Sequence, residues 1–282
     1  MKTSTVKTLT NILDAVGLDG DRIAFKAAIA AHKLGLKKQI DNREPFDFGE
    51  FKMYIDSHDT LQVAGHGKFE ELEFNTLMDL VKPDSVVFDV GANMGYYSVR
   101  IAQKANKGKV YSFEPDPGNF VTLTKNIALN NLTNVFARNV ALSDKEDTLR
   151  LWKHPFNVGD YRLYNDGDFV EFVDVPTIPL DSVLPDKVDL VKIDVQGYEY
   201  FVFKGGKRLL SEHHPVVFSE FWPRGLYNSG ATPADYLNLM ESQNYKPSLI
   251  DEEKGNVLDT TFDHLRELSA KPVNRYVNLI FS

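Results

Sequence analysis

Two acids and a glycine turn carry the chemistry that this sequence first suggests. Val87-Phe88-Asp89-Val90-Gly91-Ala92-Asn93-Met94-Gly95 is an apolar strand that breaks into a turn, and a second apolar run stops at Tyr111-Ser112-Phe113-Glu114-Pro115. Strand, glycine turn, helix and a strand closed by an acid make the layout of a nucleoside-binding α/β crossover. A dinucleotide site needs a second glycine where the backbone meets a pyrophosphate. Asn93 stands there instead, and Tyr96 stands at the third-glycine position. No G-x-x-x-x-G-K-[ST] string follows the strand either, so neither phosphate reading fits. An acid at the strand end suits a ligand with an ammonium, and Glu114, acceptor-only when ionised, can take two ribose hydroxyls. S-adenosyl-L-methionine carries both groups. A strand-end Asp that only caps the following turn is the competing reading of Asp89.

Strands and helices must position these residues. Apolar runs at 86–90, 109–113, 135–141, 190–195 and 216–221 alternate with helical patterns at 96–104, 119–130 and 199–210. Such alternation predicts a parallel sheet covered on both faces. The interval 147–183 breaks the rhythm; 149–152 and 169–173 read as an inserted hairpin, at the sheet edge or over its ligand-bearing end. Two tail strands, at 247–250 and 276–280, are expected to be antiparallel. Ahead of the crossover, 1–44 reads as helical, 46–63 as a small hairpin, and 65–70 as a glycine-rich approach to a helix ending near Val81. Ligands of open α/β sheets sit outside the carboxyl ends of the strands. The polar clusters at 89–95, 114–116, 141–143, 194–199 and 220–222 are therefore the candidate site.

Composition narrows the partners. With 282 residues, 43% hydrophobic and 26% charged, the chain suits one large globular domain and an appendage. A net charge of -8 argues against nucleic acid, which wants clustered Lys and Arg. Zero cysteines exclude disulfides, thiolate catalysis and sulfur-ligated zinc. Neither a leader pattern nor an apolar run near the roughly 20 residues of a membrane helix is expected, so the protein is read as cytoplasmic, with no membrane partner.

Taken together, Phe88-Asp89-Val90-Gly91-Ala92-Asn93-Met94-Gly95-Tyr96-Tyr97, Phe113-Glu114-Pro115, the asparagines of 126–131, Ala141-Leu142-Ser143-Asp144 and Leu190-Val191-Lys192-Ile193-Asp194-Val195-Gln196-Gly197-Tyr198-Glu199 resemble the FkbM family of class I S-adenosylmethionine-dependent methyltransferases. The resemblance spans roughly 67–282. It implies a Rossmann-like α/β domain whose mostly parallel seven-stranded sheet has helices on both faces and an antiparallel last strand. A helical cap with a small hairpin, 1–66, would precede it. It also implies that Asp89 and the Gly91, Asn93 and Gly95 turn meet the methionine side, and that Glu114 meets the ribose. Tyr96, Pro115 and Asn119 would be further cofactor contacts, and Asn139 to Leu142, with Ala141, would lie near the adenine. Asp194 would face both the methionine end and the acceptor. Phe69-Glu70 resembles an aromatic-acid pair that precedes such cofactor sites, with Glu71 and Glu73 competing for Glu70's role. Relatives often carry an acid where this chain has Gln196.

A sulfonium methyl is already an activated electrophile, so the protein's task is to hold an acceptor in line and exclude water. An oxygen acceptor gains from a general base. Asp194 is the first candidate, with Glu199, Glu220, His66 and His214 in reserve; Glu199 has a rival role as a helix-start acid, and the histidines as turn or helix-end residues. Asp194 has no clear second and third ligand partner at adjoining motif positions, so no metal is expected. Trp152, His154, Tyr161 and Tyr164 of the insertion and Glu220-Phe221-Trp222-Pro223-Arg224 offer ring faces and polar edges suited to a glycan, though aromatics also serve as plain core. The family resemblance implies O-methylation of a saccharide or secondary-metabolite hydroxyl on a small-molecule or glycan acceptor. Aminopropyl transfer and a non-catalytic interaction module are the alternatives, and the pattern leaves the oligomeric state open.

Overall fold

A computed structural model describes residues 42–57, 70–155, 157–167, 169–252, 254–270 and 276–282. The expected helices of 1–44 lie almost wholly outside these residues, as do His66, Phe69 and the approach to Glu70. Strands β1 (Phe46–Asp47) and β2 (Lys52–Met53) pair as an antiparallel hairpin. Next come α1 (Glu71–Leu80), β3 (Val86–Val90), α2 (Tyr96–Lys104), β4 (Lys109–Phe113), α3 (Pro117–Leu129) and β5 (Val135–Arg138). The chain then makes β6 (Ala141–Ser143), β7 (Asp147–Lys153) and β8 (Glu171–Pro179), followed by β9 (Leu190–Ile193), α4 (Glu199–Lys204) and β10 (Val216–Phe221). It ends with α5 (Pro223–Ser229), α6 (Pro233–Ser242), β11 (Pro247–Asp251), β12 (Asn256–Asp259), α7 (Phe262–Ser269) and β13 (Val277–Phe281).

The large sheet has eight strands in the order β12-β11-β13-β10-β9-β3-β4-β5. Strands β5, β4, β3, β9 and β10 are mutually parallel, and β13 is antiparallel to both of its neighbours, β10 and β11. From β3 the chain steps outward through β4 and β5, then returns to lay β9 and β10 on the other side. The strand order thus reverses between β3 and β9, where open α/β sheets bind ligands.

Alternation along the strands builds two cores. Phe88, Val90, Val191, Ile193, Val217 and Phe221 face one side, under α4, α6 and α7. Val87, Leu190 and Phe218 face the other, where Leu77 of α1 and Val99 and Ile101 of α2 cover them. Phe51, Met53 and Ile55 are buried in this second core. Asn126 of α3 fastens the segment, accepting from the Tyr54 amide at 2.7 Å and donating to the Tyr54 carbonyl at 3.0 Å.

Several expectations need correcting. The sheet has an eighth strand, because β12 pairs with β11 as a terminal hairpin. Of the two tail strands only β13 opposes the parallel set; β11, antiparallel to β13, runs with it. The strand expected over 135–141 is two strands in different sheets, parted at Asn139, whose amide donates to the carbonyls of Glu114 at 2.8 Å and Pro115 at 2.9 Å. The helix expected over 199–210 stops at Gly205, where a Cβ would lie 2.0 Å from the Ser143 carbonyl oxygen. That close packing of backbone on β6 breaks the helix, and a π-helical turn at Leu209–His213 resumes after it.

The insertion forms as an antiparallel pair, β7 with β8, extended by β6 parallel to β8. The connection between β7 and β8 lies over the carboxyl ends of the large sheet, as its contacts below show.

Candidate active site

Asp89 sits on the α2-covered face of β3, in a polar row that crosses three strands: Ser112 of β4 pairs with it on one side and Lys192 of β9 on the other. It is fully buried. Ser98 of α2 donates to Asp89 Oδ2 at 2.5 Å and shares a hydrogen bond with Ser112 at 2.8 Å. Asp89 Oδ1 has no hydrogen-bond partner; the Lys192 ammonium, 3.8 Å away, is its nearby charge. Burial raises the Asp89 pKa against the opposing pull of Lys192 and Ser98.

The turn after β3 is built for close approach. Gly91 has φ +80° and a Cβ there would lie 2.0 Å from the Asp194 carbonyl oxygen, so only glycine lets the ends of β3 and β9 meet. Gly91 and Ala92 both donate to the Phe113 carbonyl at 3.0 Å, which ties the turn to β4. Asn93, at φ 50°, takes a left-handed conformation that Asn tolerates. Its amide nitrogen donates to Glu114 Oε2 at 2.8 Å. The Asp116 amide donates to Glu114 Oε1 at 2.9 Å. Each Glu114 oxygen thus has one backbone donor and keeps acceptor capacity for a ligand hydroxyl. Burial, only partly offset by these donors, lifts the Glu114 pKa to about 7.

A second acid group gathers at the ends of β9 and β10. Gln196, with φ 55°, donates its side-chain amide to Asp194 Oδ1 at 2.8 Å and reaches Glu220 Oε2 at 3.5 Å. The Gln196 side chain thus links the two acids through an amide. Burial pushes the Glu220 pKa well above the usual carboxylate range, reinforced by Asp194 and Glu199. Glu70, just before α1, is pushed up to about 8 by burial and the neighbouring Asp194, and Tyr97 donates to it at 3.4 Å. Glu73 is raised to about 7 by burial and its bond to Glu252. So many carboxyls near the ends of β9 and β10 favour a cationic ligand or bound protons.

The sequence-predicted residues divide accordingly. Asp89, Gly91, Asn93, Gly95, Glu114 and Asp194 come together around the strand-order switch, with Glu70 and Glu220 facing Asp194. Glu199 is nearby but occupied: its Oε1 accepts from the amides of Val195 at 3.1 Å and Gly197 at 3.2 Å, holding the β9–α4 loop, while Oε2 is buried without a partner. Tyr96 is a core ring, 5.5 Å from Phe74 and 6.0 Å from Phe51. The Ala141 side chain packs with Leu151 and Val175 in the small core of the side sheet, two residues past Asn139, whose amide bonds to the carbonyls of Glu114 and Pro115. His214 precedes β10, at the opposite end of the strands, and stacks on Tyr245 with 4.3 Å between ring centroids. Pro115 and Asn119 flank the Asp116 cap, whose Oδ1 accepts from Gly118 and Asn119, each at 2.9 Å.

The insertion covers this group. Asn93 and Asn119 both donate to the Val158 carbonyl, at 2.8 and 3.2 Å. Lys153 pairs with Asp116. Tyr164 donates to the Gln196 carbonyl at 2.7 Å. Arg162 binds Asp160 and Asp166 and lies 4.6 Å from the Trp222 ring centroid. One segment is thus fastened to residues after β3, β4, β9 and β10. Trp152, expected over the site, instead packs on Phe172 of the side sheet, and Phe221 is core.

Sequence reasoning assigned no role to Lys192, Ser98 or Arg162. Lys192 had a readable signal, a charged residue inside an apolar strand run. Ser98 had none, since a helical serine becomes significant only when the fold sets it against Asp89.

The model of the Methyltransferase FkbM domain matches residues 89–247, more than half of the chain. The 2-O-methyltransferase NoeI of Sinorhizobium fredii is 29% identical over 184 residues, covering 58% of this chain and 74% of that protein. The hexuronic acid methyltransferase AglP of Haloferax volcanii is 27% identical over 169 residues, covering 58% of this chain and 64% of that protein. The crystal structure of a methyltransferase FkbM from Methylobacillus flagellatus superposes with a TM-score of 0.45 at 17% identity, covering 71% of this chain and 44% of that one. The matched segment begins at Asp89 and takes in Glu114, Asp194 and Glu220, the residues that the fold gathers at its strand-order switch, and the chain belongs to the FkbM methyltransferase family.

Proposed function

We propose that this protein transfers the methyl group of S-adenosyl-L-methionine to a hydroxyl of a saccharide or secondary metabolite. The observation that carries the reading is the pairing of two unlike acid sites across one turn. Glu114, held by two backbone amides, is an acceptor for ribose hydroxyls, and beyond the Gly91 turn Asp89 and Asp194 offer negative charge to an ammonium and a sulfonium. The orphaned Asp89 Oδ1 fits a ligand that brings positive charge. The donor, when bound, supplies an electrophilic methyl. Asp194, half-exposed at the β9 end, orients the acceptor hydroxyl and takes its proton as the new bond forms. Gln196 fixes one oxygen of that carboxylate and leaves the other free of hydrogen bonds to side chains of the loop. Residues 157–167 cover the loops after β3, β4 and β9 through Val158 and Tyr164, which limits access of water to that side of the site.

The names of the two relatives, one a 2-O-methyltransferase and one a hexuronic acid methyltransferase, support oxygen as the receiving atom and sugars as the acceptor class. In this reading residues 1–66 cap a transferase domain of 67–282, with β1 and β2 already built into its core, and the reaction takes place in the cytoplasm. Among the described residues no helix is long and apolar enough to cross a membrane. Mass spectrometry of a panel of glycans and glycosylated metabolites, incubated with donor and protein, is expected to show gain of one methyl in at least one acceptor. Asp194→Asn should lose mainly turnover, by about 100-fold or more, with a much smaller loss of donor affinity. Full turnover in Asp194→Asn would remove the role given to this residue.

A further inference from the structure

Strand alternation carries the polar row of the site past Asp194. Leu190 of β9 and Phe218 of β10 belong to the core under α1 and α2, so Asp194 and Glu220 project from that same face. On β13, Ile280 belongs to this core and Leu279 and Phe281 to the other, so Asn278 and, one step before the strand, Tyr276 continue the row. Glu220 pairs with Asn278 and Phe221 with Val277, which sets Tyr276 just past the carboxyl end of β10. Burial, then the carboxyls of Glu70, Glu220, Glu252 and Asp194, raise the Tyr276 pKa; its hydroxyl lies among these acids while 39% of the residue stays exposed. Other rings around the site are taken. Trp222 carries Arg162 and lies against Gly225, where an added Cβ would fall 2.3 Å from Trp222 Cε3. Tyr164 is buried, and Trp152 packs on Phe172. Buried Glu73 of α1, bonded to Asn278, leaves its Oε1 without a hydrogen-bond partner beside this row.

We propose that Tyr276 is the platform of the acceptor subsite, and that the acceptor it takes is a sugar ring carrying no anionic group. This inference deepens the reading of the site as one for O-methyl transfer and rests on it. The C–H face of a sugar packs on an aromatic ring, and its hydroxyls donate to carboxyl oxygens. Tyr276 stands two strands from Asp194, on the order of 10 Å at the usual strand spacing, with Glu220 on the strand between. A sugar laid on Tyr276 therefore reaches across Glu220 and presents a hydroxyl at Asp194, where methyl transfer is placed. Charge selects among sugars. Two cations at this end of the sheet are already matched: Lys192 by Asp89 and Asp194, and Arg162 by Asp160 and Asp166. A carboxylate on the ring would enter beside Glu70 and Glu220, and like charges set together in this way cost affinity.

The test is saturation-transfer NMR of the full chain with methyl glycosides, neutral glucoside, galactoside, mannoside and rhamnoside against glucuronide and galacturonide. At least one neutral glycoside should receive saturation on its ring protons, and both uronides should bind about tenfold more weakly or worse. Tyr276→Ala should weaken the neutral glycoside by about fivefold or more, in the range for one lost ring contact. Tyr276→Leu keeps apolar bulk without a ring face; it should show the same loss and carries the test if the Ala variant fails to fold. Tyr276→Phe should restore binding to within about twofold, since the ring face is kept. No saturation on any neutral glycoside, a uronide bound as tightly as the best neutral sugar, or full binding in Tyr276→Leu would overturn the proposal. Calorimetry with the methyl donor separates the two readings. Native protein that binds no donor would count against the proposed function, whereas donor binding together with unchanged glycoside binding in Tyr276→Leu would count against Tyr276 alone.

Discussion

Gly91→Ala tests the close approach that brings the Asp89 turn to Asp194. Two costs are separable. At φ +80° any residue with a Cβ loses about 1–2 kcal/mol to left-handed backbone. The added methyl would also lie 2.0 Å from the Asp194 carbonyl oxygen and 3.0 Å from its carbon, where ordinary contact begins near 3.4 Å. Neither side can yield cheaply. The Asp194 amide is bonded to Val90 O at 3.1 Å, the Val195 amide to Glu199 at 3.1 Å, and Gly91 and Ala92 to Phe113. We expect a total loss of at least about 4 kcal/mol, in the range reserved for severe local conflicts. Gly230→Ala is the control: it has φ +96° but nothing within 4 Å of its added Cβ, so it should lose only about 1 kcal/mol. Urea unfolding of both variants, followed by circular dichroism, reads the difference directly. If the two variants unfold within about 1 kcal/mol of each other, strand ends β3 and β9 do not meet as described. Any Gly91→Ala protein that folds should also lose turnover by about 100-fold, because a shift near 1 Å at Asp194 misplaces the acceptor.

Glu114→Ala should weaken donor binding by at least about tenfold in calorimetry, since a ribose hydroxyl bonded to a charged group contributes roughly 1.5–3 kcal/mol; unaltered affinity would displace Glu114 from the ribose role. Stability of the ligand-free protein should fall as pH rises from about 5 to 8. Glu70, Glu73, Glu114 and Glu199 have folded pKa values of about 8, 7, 7 and 7, above their ordinary 4.5, so the folded state holds extra protons that it loses across this window. Thermal melts at constant ionic strength check the sign, and a melting temperature that rises from pH 5 to 8 would contradict it. Asn93→Gly removes one of two amides holding Val158 while tolerating the positive φ, and should speed hydrogen exchange at 157–160; unchanged exchange would mean the insertion is held by its other contacts.

The sheet and its ligand-bearing end were legible because strand runs, glycine turns and strand-closing acids are local signals. Asp89, Gly91 and Glu114 could be placed from a window of under thirty residues. What escaped depended on distance in the chain. The break at Asn139 comes from its bonds to the carbonyls of Glu114 and Pro115, and the stop at Gly205 from packing on Ser143; neither partner is near in sequence. Tyr96 and Ala141 matched motif positions, yet their side chains face cores, since a motif gives backbone position and not the direction of the side chain. Glu199 and Gln196 show the same limit in reverse: one acid is absorbed in holding its loop, and one amide bridges Asp194 to Glu220.

The central claim is that the β3 turn and the acid closing β4 together hold a methyl donor. Titration calorimetry of the full chain with S-adenosyl-L-methionine and with its demethylated product tests it most directly. Binding of both to the native protein, weakened in Glu114→Ala, is the expected result. Native protein that binds neither would contradict the account.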